Sequence, residues 1–363
     1  MRVVVLGGSG NFGARIVRAL HREVGIEVMA ASRSGSAVVG AAGVRTVRLD
    51  AFASELKERL IELAPDLVIH TVGPFQGQDY RVVQAVLAAG AHYLDLADGR
   101  EFVCGFADAN RAQAEAAGRV AISGASTLPG LSHAVVESLR ENMNLMESVE
   151  IAIAPGQNAV RGTATMAAVF GYLGRPIRVW RNGRWVTRYG WMDIRRVPLS
   201  FGARWGALCE VPDLTLIPAQ YPEVHEVSFH AALEFRLQHA VLWTLAALRR
   251  LGLPFAIDRW AQALDRLSGA FDPFAGSWGG MRVSVIGEDG QGQRLRRTWQ
   301  LKVPAADGPE IPTFAGILFA QRLARGDAMV AGAYPCVALL TLENFQSLFA
   351  KWKIFTQVEE NLA

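Results

Sequence analysis

The chain has 363 residues, 51% hydrophobic and 20% charged, which excludes a disordered protein and implies cores large enough for more than one domain. A formal net charge of +3 is too small for a nucleic-acid footprint, and Cys104, Cys209 and Cys336 are too scattered for a disulfide or metal pattern, so no metal is expected. No apolar run approaches the ~20 residues of a bilayer span, and the start reads as a strand rather than a signal peptide, so a cytoplasmic chain without an integral membrane segment is expected.

Arg2–Leu6 reads as a short apolar strand. Gly7, Gly8, Ser9, Gly10, Asn11, Phe12 and Gly13 follow, with a helix from Asn11 to about Glu23. Strand, glycine turn and helix in this order bring backbone N–H groups against a pyrophosphate. Gly8 is expected to make the tight turn, Gly10 to let the phosphates approach and Gly13 to let the helix pack on the strand. The helix start adds unpaired donors and a positive dipole end.

Glu27–Ala31 is the second strand, and its end is where a dinucleotide's ribose is read. An acid there would select NAD, but the residues are Ser32, Arg33 and Ser34. Arg33 can fork onto a 2′-phosphate with the two serines donating beside it, so NADP is expected, with NAD as the alternative. Strands at Val44–Leu49, Asp66–Val72, His92–Leu96 and Arg119–Ser123 alternate with helices near Leu56–Leu63, at Tyr80–Ala89 and at Phe102–Ala117. This alternation predicts an α/β fold, a Rossmann doubly wound parallel sheet over residues 1–130.

Beyond Leu131 the pattern changes. Ser148–Ala154 alternates as a half-buried strand, and Ile177–Arg181 and Arg184–Arg188 flank Asn182-Gly183, a strong hairpin signal. Met281–Ile286 and Arg294–Val303 form a second hairpin, and Val224–Phe229 reads as a strand. Helices are expected at Thr163–Leu173, Glu234–Leu251, Ile257–Leu267 and Pro312–Arg325. Residues 131–330 therefore read as an α+β domain on a mixed or antiparallel sheet, serving substrate binding or dimerisation. Leu340–Val358 reads as a helix, with residues 331–363 packing back on the first domain.

The glycine turn, Thr71-Val-Gly-Pro-Phe75, Tyr80–Gly90, His92-Tyr-Leu-Asp95 and Gly124–Ser132 together resemble the saccharopine dehydrogenase-like NADP-binding family. The resemblance is specific over about residues 1–135 and loose beyond. It implies a Rossmann domain, an inserted α+β domain, a C-terminal return to the first domain, and NAD(P)H-dependent hydride transfer. In some relatives it implies only a dinucleotide-binding protein.

Ligands of open α/β sheets sit outside the carboxyl ends of the strands. Gly73 and Pro74 are placed to pass close to a nicotinamide, and Phe75 either packs on that ring or fills the core. Gln76 and Tyr80 are candidate substrate contacts, with Tyr80 alternatively a helix-face anchor. Asp95 ends a buried strand, to bind a substrate amine or cap the next turn. Ser126 and Thr127 contact ligand or cap the following helix. His133, one turn into that helix, is the candidate proton donor, against a structural histidine. His92 and Asp95 are at odd spacing and should point to opposite faces.

Trp180, Trp185, Trp191, Trp205, Trp243, Trp260, Trp278 and Trp299 enrich the second domain and raise the expectation of a shared apolar pocket. Arginines such as Arg161, Arg195 and Arg196 show no obvious pairing for a dicarboxylate. The expected function is NADP-dependent hydride transfer to or from a C=N, C=O or activated C=C bond of a small or moderately apolar molecule. The alternatives are a non-catalytic NADP-binding sensor or scaffold, and a membrane-peripheral enoyl reductase-like enzyme that uses Glu234–Leu251 as an anchor. A homodimer through the second domain is a further expectation.

Overall fold

The computed structural model describes residues 1–160, 171–253 and 269–363. The chain divides into two compact units, Met1–Leu131 with Pro309–Leu340, and Ser132–Gly308 with Thr341–Ala363.

The first unit holds one parallel sheet. Its strands are β1 (Arg2–Leu6), β2 (Glu27–Ser32), β3 (Arg45–Arg48), β4 (Leu67–His70), β5 (His92–Asp95), β6 (Val120–Ser123) and β15 (Gly332–Pro335). They lie in the order β15-β6-β5-β4-β1-β2-β3. Val3, Val4 and Val5 are fully buried, because helices cover both faces of such a sheet and leave no polar side to alternate. Each such side chain contributes about 1.5–3 kcal/mol. Helix α1 (Asn11–Leu20) buries Ile16, Val17 and Leu20 at helical spacing. Helices α2 (Leu56–Leu63), α3 (Arg81–Ala88) and α4 (Arg100–Ala116) supply the crossovers.

The segment Pro309–Leu340 joins this unit late in the chain. Arg15 of α1 pairs with Glu310 at 3.0 Å, both largely buried, and Gln321 donates to Glu23. Gly332–Pro335 then pairs in parallel with Val120–Ser123.

The second unit holds a mixed sheet of β7 (Met143–Ala154), β10 (Arg195–Val197), β11 (Arg204–Leu208), β12 (Glu226–Leu233), β13 (Trp278–Asp289), β14 (Arg294–Pro304) and β16 (Phe355–Leu362). Their order is β10-β11-β12-β7-β13-β14-β16, with β12 and β7 parallel and the other neighbours antiparallel. A separate hairpin pairs β8 (Pro176–Arg181) with β9 (Arg184–Tyr189). Asn182 and Gly183 both have positive φ there, 51° and 67°, as a two-residue hairpin turn requires.

Period two divides the large sheet into an apolar and a polar face. Val149, Ile151, Val283, Val285, Trp299 and Leu301 share the apolar one. Trp299 meets Phe349 of the helix Leu342–Lys351 there, and Arg297 on the same side donates to the carbonyls of Leu139 and Glu141.

Several expectations are corrected. Leu340–Val358 is not one helix: Leu342–Lys351 is helical, then Phe355–Leu362 forms an edge strand on β14. Both belong to the second unit, so only 309–340, not the whole of 331–363, returns to the first. The expected helix Ile257–Leu267 lies outside the described residues, as does most of Thr163–Leu173. The tryptophans are dispersed. Trp191 and Trp299 are fully buried, Trp180 and Trp185 pair on the hairpin, and Trp205 and Trp243 are 42% exposed. Trp260 lies outside the described residues. The helix Arg236–Arg250 buries His239, Leu242 and Ala246 and exposes Leu237, Val241 and Trp243. Among the described residues no helix is long and apolar enough to cross a membrane.

Candidate functional site

In the first unit β1 lies between β2 and β4, so the connections leave it in opposite directions and a crevice opens at the carboxyl ends of β1 and β4. The glycine turn occupies that position. The left-handed residue of the turn is Gly7, at φ 79°. Gly8 instead donates its N–H to the carbonyls of Val5 and Ala31. Gly13 is held by crowding, since a methyl group there would stand 2.2 Å from the Gly7 carbonyl oxygen and 2.8 Å from Thr71 Oγ1. Thr71 in turn donates through N and Oγ1 to the Leu6 carbonyl, which fixes the end of β4 against the end of β1. Helix α1 starts at Gly10 with no side-chain cap and no acid in its first turn. Its first N–H groups and dipole therefore face a site suited to an anion.

At the end of β2, Ser32 Oγ accepts from Gly35 N at 3.1 Å, and the Ser34 and Ser36 hydroxyls lie 2.7 Å apart. This turn presents the exposed Arg33 and Ser34 beside the crevice end of the strand. A guanidinium next to hydroxyls suits a phosphate monoester.

At the end of β4, Gly73 and Pro74 follow the strand, and Gln78 Nε2 ties their loop by donating to the Val72 and Pro74 carbonyls. Phe75 is 4% exposed and packs edge-on against His70 and beside Phe102, so it fills the core and is not free to cover a nicotinamide ring. Gln76 donates to Asp98 at 3.2 Å. Tyr80 donates to the Phe102 carbonyl at 2.8 Å and packs on Phe102 and Phe106, the anchoring alternative rather than a substrate contact.

Behind these loops lies a buried polar cluster. Asp95 Oδ1 accepts from Gly124 N at 2.7 Å, Ala97 N at 2.9 Å and Ser123 Oγ at 3.0 Å. Burial pushes its carboxyl up to about 6, while these donors pull it back. Such a carboxylate caps the following turn and joins the ends of β5 and β6. Tyr93 OH and His70 Nδ1 lie 3.0 Å apart in the same cluster, and burial takes the His70 imidazole down to about 3. Cys336, at the end of β15, is sealed beside it, and burial and then the Asp95 charge raise its thiol. His70, Tyr93 and Cys336 were not singled out from sequence. Their signal was position alone, at or near strand ends. His92 does point away from Asp95 and accepts from Val120 N at 3.0 Å.

Ser126 is buried, and its carbonyl accepts from Leu131 N, while Thr127 is half-buried at the start of the next turn. His133 belongs to the second unit. It is fully buried, stacks on Tyr221 with ring centroids 6.5 Å apart, and neither ring nitrogen has a hydrogen-bond partner. Burial lowers it to about 3, so the ring is neutral at physiological pH. That placement counts against His133 as the proton donor. Beside it in the chain, Ser132 donates to Asp213, whose buried carboxyl is pushed up to about 7.

A parallel sheet with strand order 3-2-1-4-5-6 and a glycine turn at its switch point defines the class, a Rossmann dinucleotide-binding protein of the dehydrogenase type. Residues 3–122 match the family model described as the saccharopine dehydrogenase NADP binding domain. The match lies within the first unit, which is a saccharopine dehydrogenase-like NADP-binding domain. Its fold is similar to the apo histidine-tagged saccharopine dehydrogenase (L-Glu forming) of Saccharomyces cerevisiae, at 14% identity over 99% of each chain with a TM-score of 0.71. It is also similar to the homospermidine synthase of Legionella pneumophila in complex with NAD, at 12% identity over 100% of this chain and 91% of that one, TM-score 0.63. A third likeness is to C. glutamicum DAP dehydrogenase in complex with DAP, at 13% identity over 96% and 98%, TM-score 0.51. At such identities the likeness establishes the fold. The comparison with curated proteins gives no match.

Proposed function

We propose that the chain is an NADP-dependent oxidoreductase acting on a C=N, C=O or activated C=C bond of a small organic molecule. The observation that carries this reading is the glycine turn at the β1/β4 switch point, where Gly13 leaves no room for a Cβ and α1 opens uncapped toward the crevice. These residues fit a pyrophosphate. The bound nicotinamide supplies or accepts the hydride.

The residues of the first unit divide the remaining work. Gly7–Gly13 hold the pyrophosphate through backbone N–H groups. Ser32, Arg33 and Ser34 hold the 2′-phosphate and so favour NADP over NAD. Gly73 and Pro74 line the nicotinamide end with backbone, and Gln76 and Thr127 stand next to it as substrate contacts. Asp95 is a positioning residue that fixes the Gly124 turn against β5. The substrate is small, and the protein is proposed to work in the cytoplasm.

One observation favours a second reading, a dinucleotide-binding sensor without turnover. Asp95, expected to bind a substrate amine or cap a turn, and His133, the expected proton donor, are both fully buried. Substrate-dependent oxidation of NADPH, followed by absorbance across amine plus 2-oxo acid pairs, ketones and enoyl thioesters, separates the two. Turnover with any class supports the oxidoreductase; tight NADPH binding with turnover in none supports the sensor.

A further inference from the structure

The polar face of the second sheet gathers guanidinium groups from distant parts of the chain. Ser228 and His230 of β12, Glu150 of β7, and Arg282 and Ser284 of β13 share that face by register. Arg282, Arg296 and Arg195 converge on the Glu150 carboxylate at 3.6, 3.7 and 4.0 Å. Arg195 also lies 3.7 Å from Glu226 and 4.0 Å from Asp193. Arg181, at the end of β8, hydrogen-bonds Asp193 and lies 3.8 Å from Glu226. Glu359 of β16 adds a further negative charge that acts on Arg282.

The charges are close to balanced, so ion pairing alone would account for a structural network. The hydrogen bonds show what such a network leaves over. Each guanidinium carries five N–H donors. The three contacts to Glu150 are all longer than a hydrogen bond. Among the described residues Arg195 and Arg296 donate to no protein group within hydrogen-bond distance, and Arg282 donates to Thr298 Oγ1 at 3.4 Å beside its 3.6 Å contact with Glu150. Arg195 and Arg296 are more than a third exposed, so a ligand can reach their spare donors.

A second observation points the same way. Ser228 Oγ and His230 Nε2 are sealed from solvent with no partner, in residues only 3% and 4% exposed. Ser228 stands opposite Glu150 in the register, and His230 lies within the electrostatic reach of Arg195 and Arg181. Native structures seldom leave such atoms unpaired. A group with several acceptor oxygens satisfies the spare guanidinium donors and the Ser228 hydroxyl together, and the neutral His230 ring in the tautomer protonated at Nε2.

We propose that this face binds a small oxyanion with two or more terminal oxygens, a phosphate or a dicarboxylate, held by Arg195, Arg282 and Arg296 with Ser228 and His230 beneath it. The site is built wholly from the second unit, and it does not rest on the hydride-transfer reading.

The test is isothermal titration of the full chain with inorganic phosphate and, separately, with glutarate, at constant ionic strength. The expected result is a dissociation constant of about a millimolar or tighter for at least one of them. The double variant Arg195→Gln/Arg296→Gln should weaken it by about tenfold or more. In histidine-labelled protein, the His230 resonance, assigned by its loss in His230→Gln, should move on saturation. The tighter-bound anion identifies the source. Absence of binding by both anions, undiminished affinity in the double variant, or an unmoved His230 resonance overturns the proposal. Should the double variant fail to fold, Ser228→Ala carries the affinity test, with a loss of about threefold or more expected and an unchanged affinity overturning it.

Discussion

The backbone N–H of Gly124 donates to Asp95 Oδ1 at 2.7 Å, so one buried carboxylate ties together the carboxyl ends of the neighbouring strands β5 and β6. The same oxygen accepts from Ala97 N and Ser123 Oγ. Asp95→Ala leaves three buried donors without their acceptor, at about 1–3 kcal/mol each. Urea denaturation should show a loss of about 3 kcal/mol or more, whereas Asp95→Asn, which keeps an acceptor oxygen, should lose less. Equal stability of Asp95→Ala and wild type would remove the carboxylate's positioning role.

The glycine turn separates fold from ligand. A methyl at Gly13 meets the Gly7 carbonyl oxygen at 2.2 Å, but one at Gly10 meets it only at 3.1 Å. Gly13→Ala should therefore lower both the unfolding midpoint and the NADP affinity. Gly10→Ala should keep the midpoint and weaken NADP by about tenfold, or about 1.4 kcal/mol. Calorimetric titration and urea melts of the two variants measure this, and wild-type affinity in Gly10→Ala would place the pyrophosphate elsewhere.

His133 has no hydrogen-bond partner to lose. Its ring contact is stacking on Tyr221, which a phenyl ring can also provide. His133→Phe should change stability by less than about 1.5 kcal/mol and leave any NADPH turnover intact. A fall in kcat of about 100-fold at unchanged stability would reinstate the histidine as the proton donor.

Asp213 gives stability a pH dependence of definite sign. Its carboxyl is raised from 3.8 to about 7 by burial, so between those values the folded chain holds a proton that the unfolded chain has released. Stability from this group is therefore lost as pH rises through that window. His70 and His133, both lowered to about 3, act oppositely and lose stability as pH falls from 6.5, equally in wild type and variant. Asp213→Asn should thus gain on wild type from pH 4 to pH 7, by about 1–4 kcal/mol, and then level off. Urea midpoints measured at several pH values check this; a difference that stays constant with pH would contradict it.

The first sheet was legible because its cues are local. Val3–Val5 form a buried run, Gly7–Gly13 a turn, and Asn182-Gly183 names its hairpin in two residues. Phe355–Val358 reads as the end of a helix because the strand state of Phe355–Leu362 depends on β14, some 60 residues earlier in the chain. Gly332–Pro335 is too short to show a period and is a strand only through Val120–Ser123. Among the site residues, Arg33 was visible from its place after a strand. The burial of Asp95 and His133 was not, because it depends on neighbours that sequence spacing does not show. The convergence of Arg195, Arg282 and Arg296 on Glu150 is set by sheet register and by no spacing in the sequence.

The most direct test is calorimetric titration of wild type and Arg33→Asp with NADP+ and NAD+. Wild type is expected to bind NADP+ at least about tenfold more tightly than NAD+, and Arg33→Asp to abolish or reverse that ratio. Absence of dinucleotide binding, or a ratio that Arg33→Asp leaves unchanged, would contradict the NADP site at the ends of β1, β2 and β4.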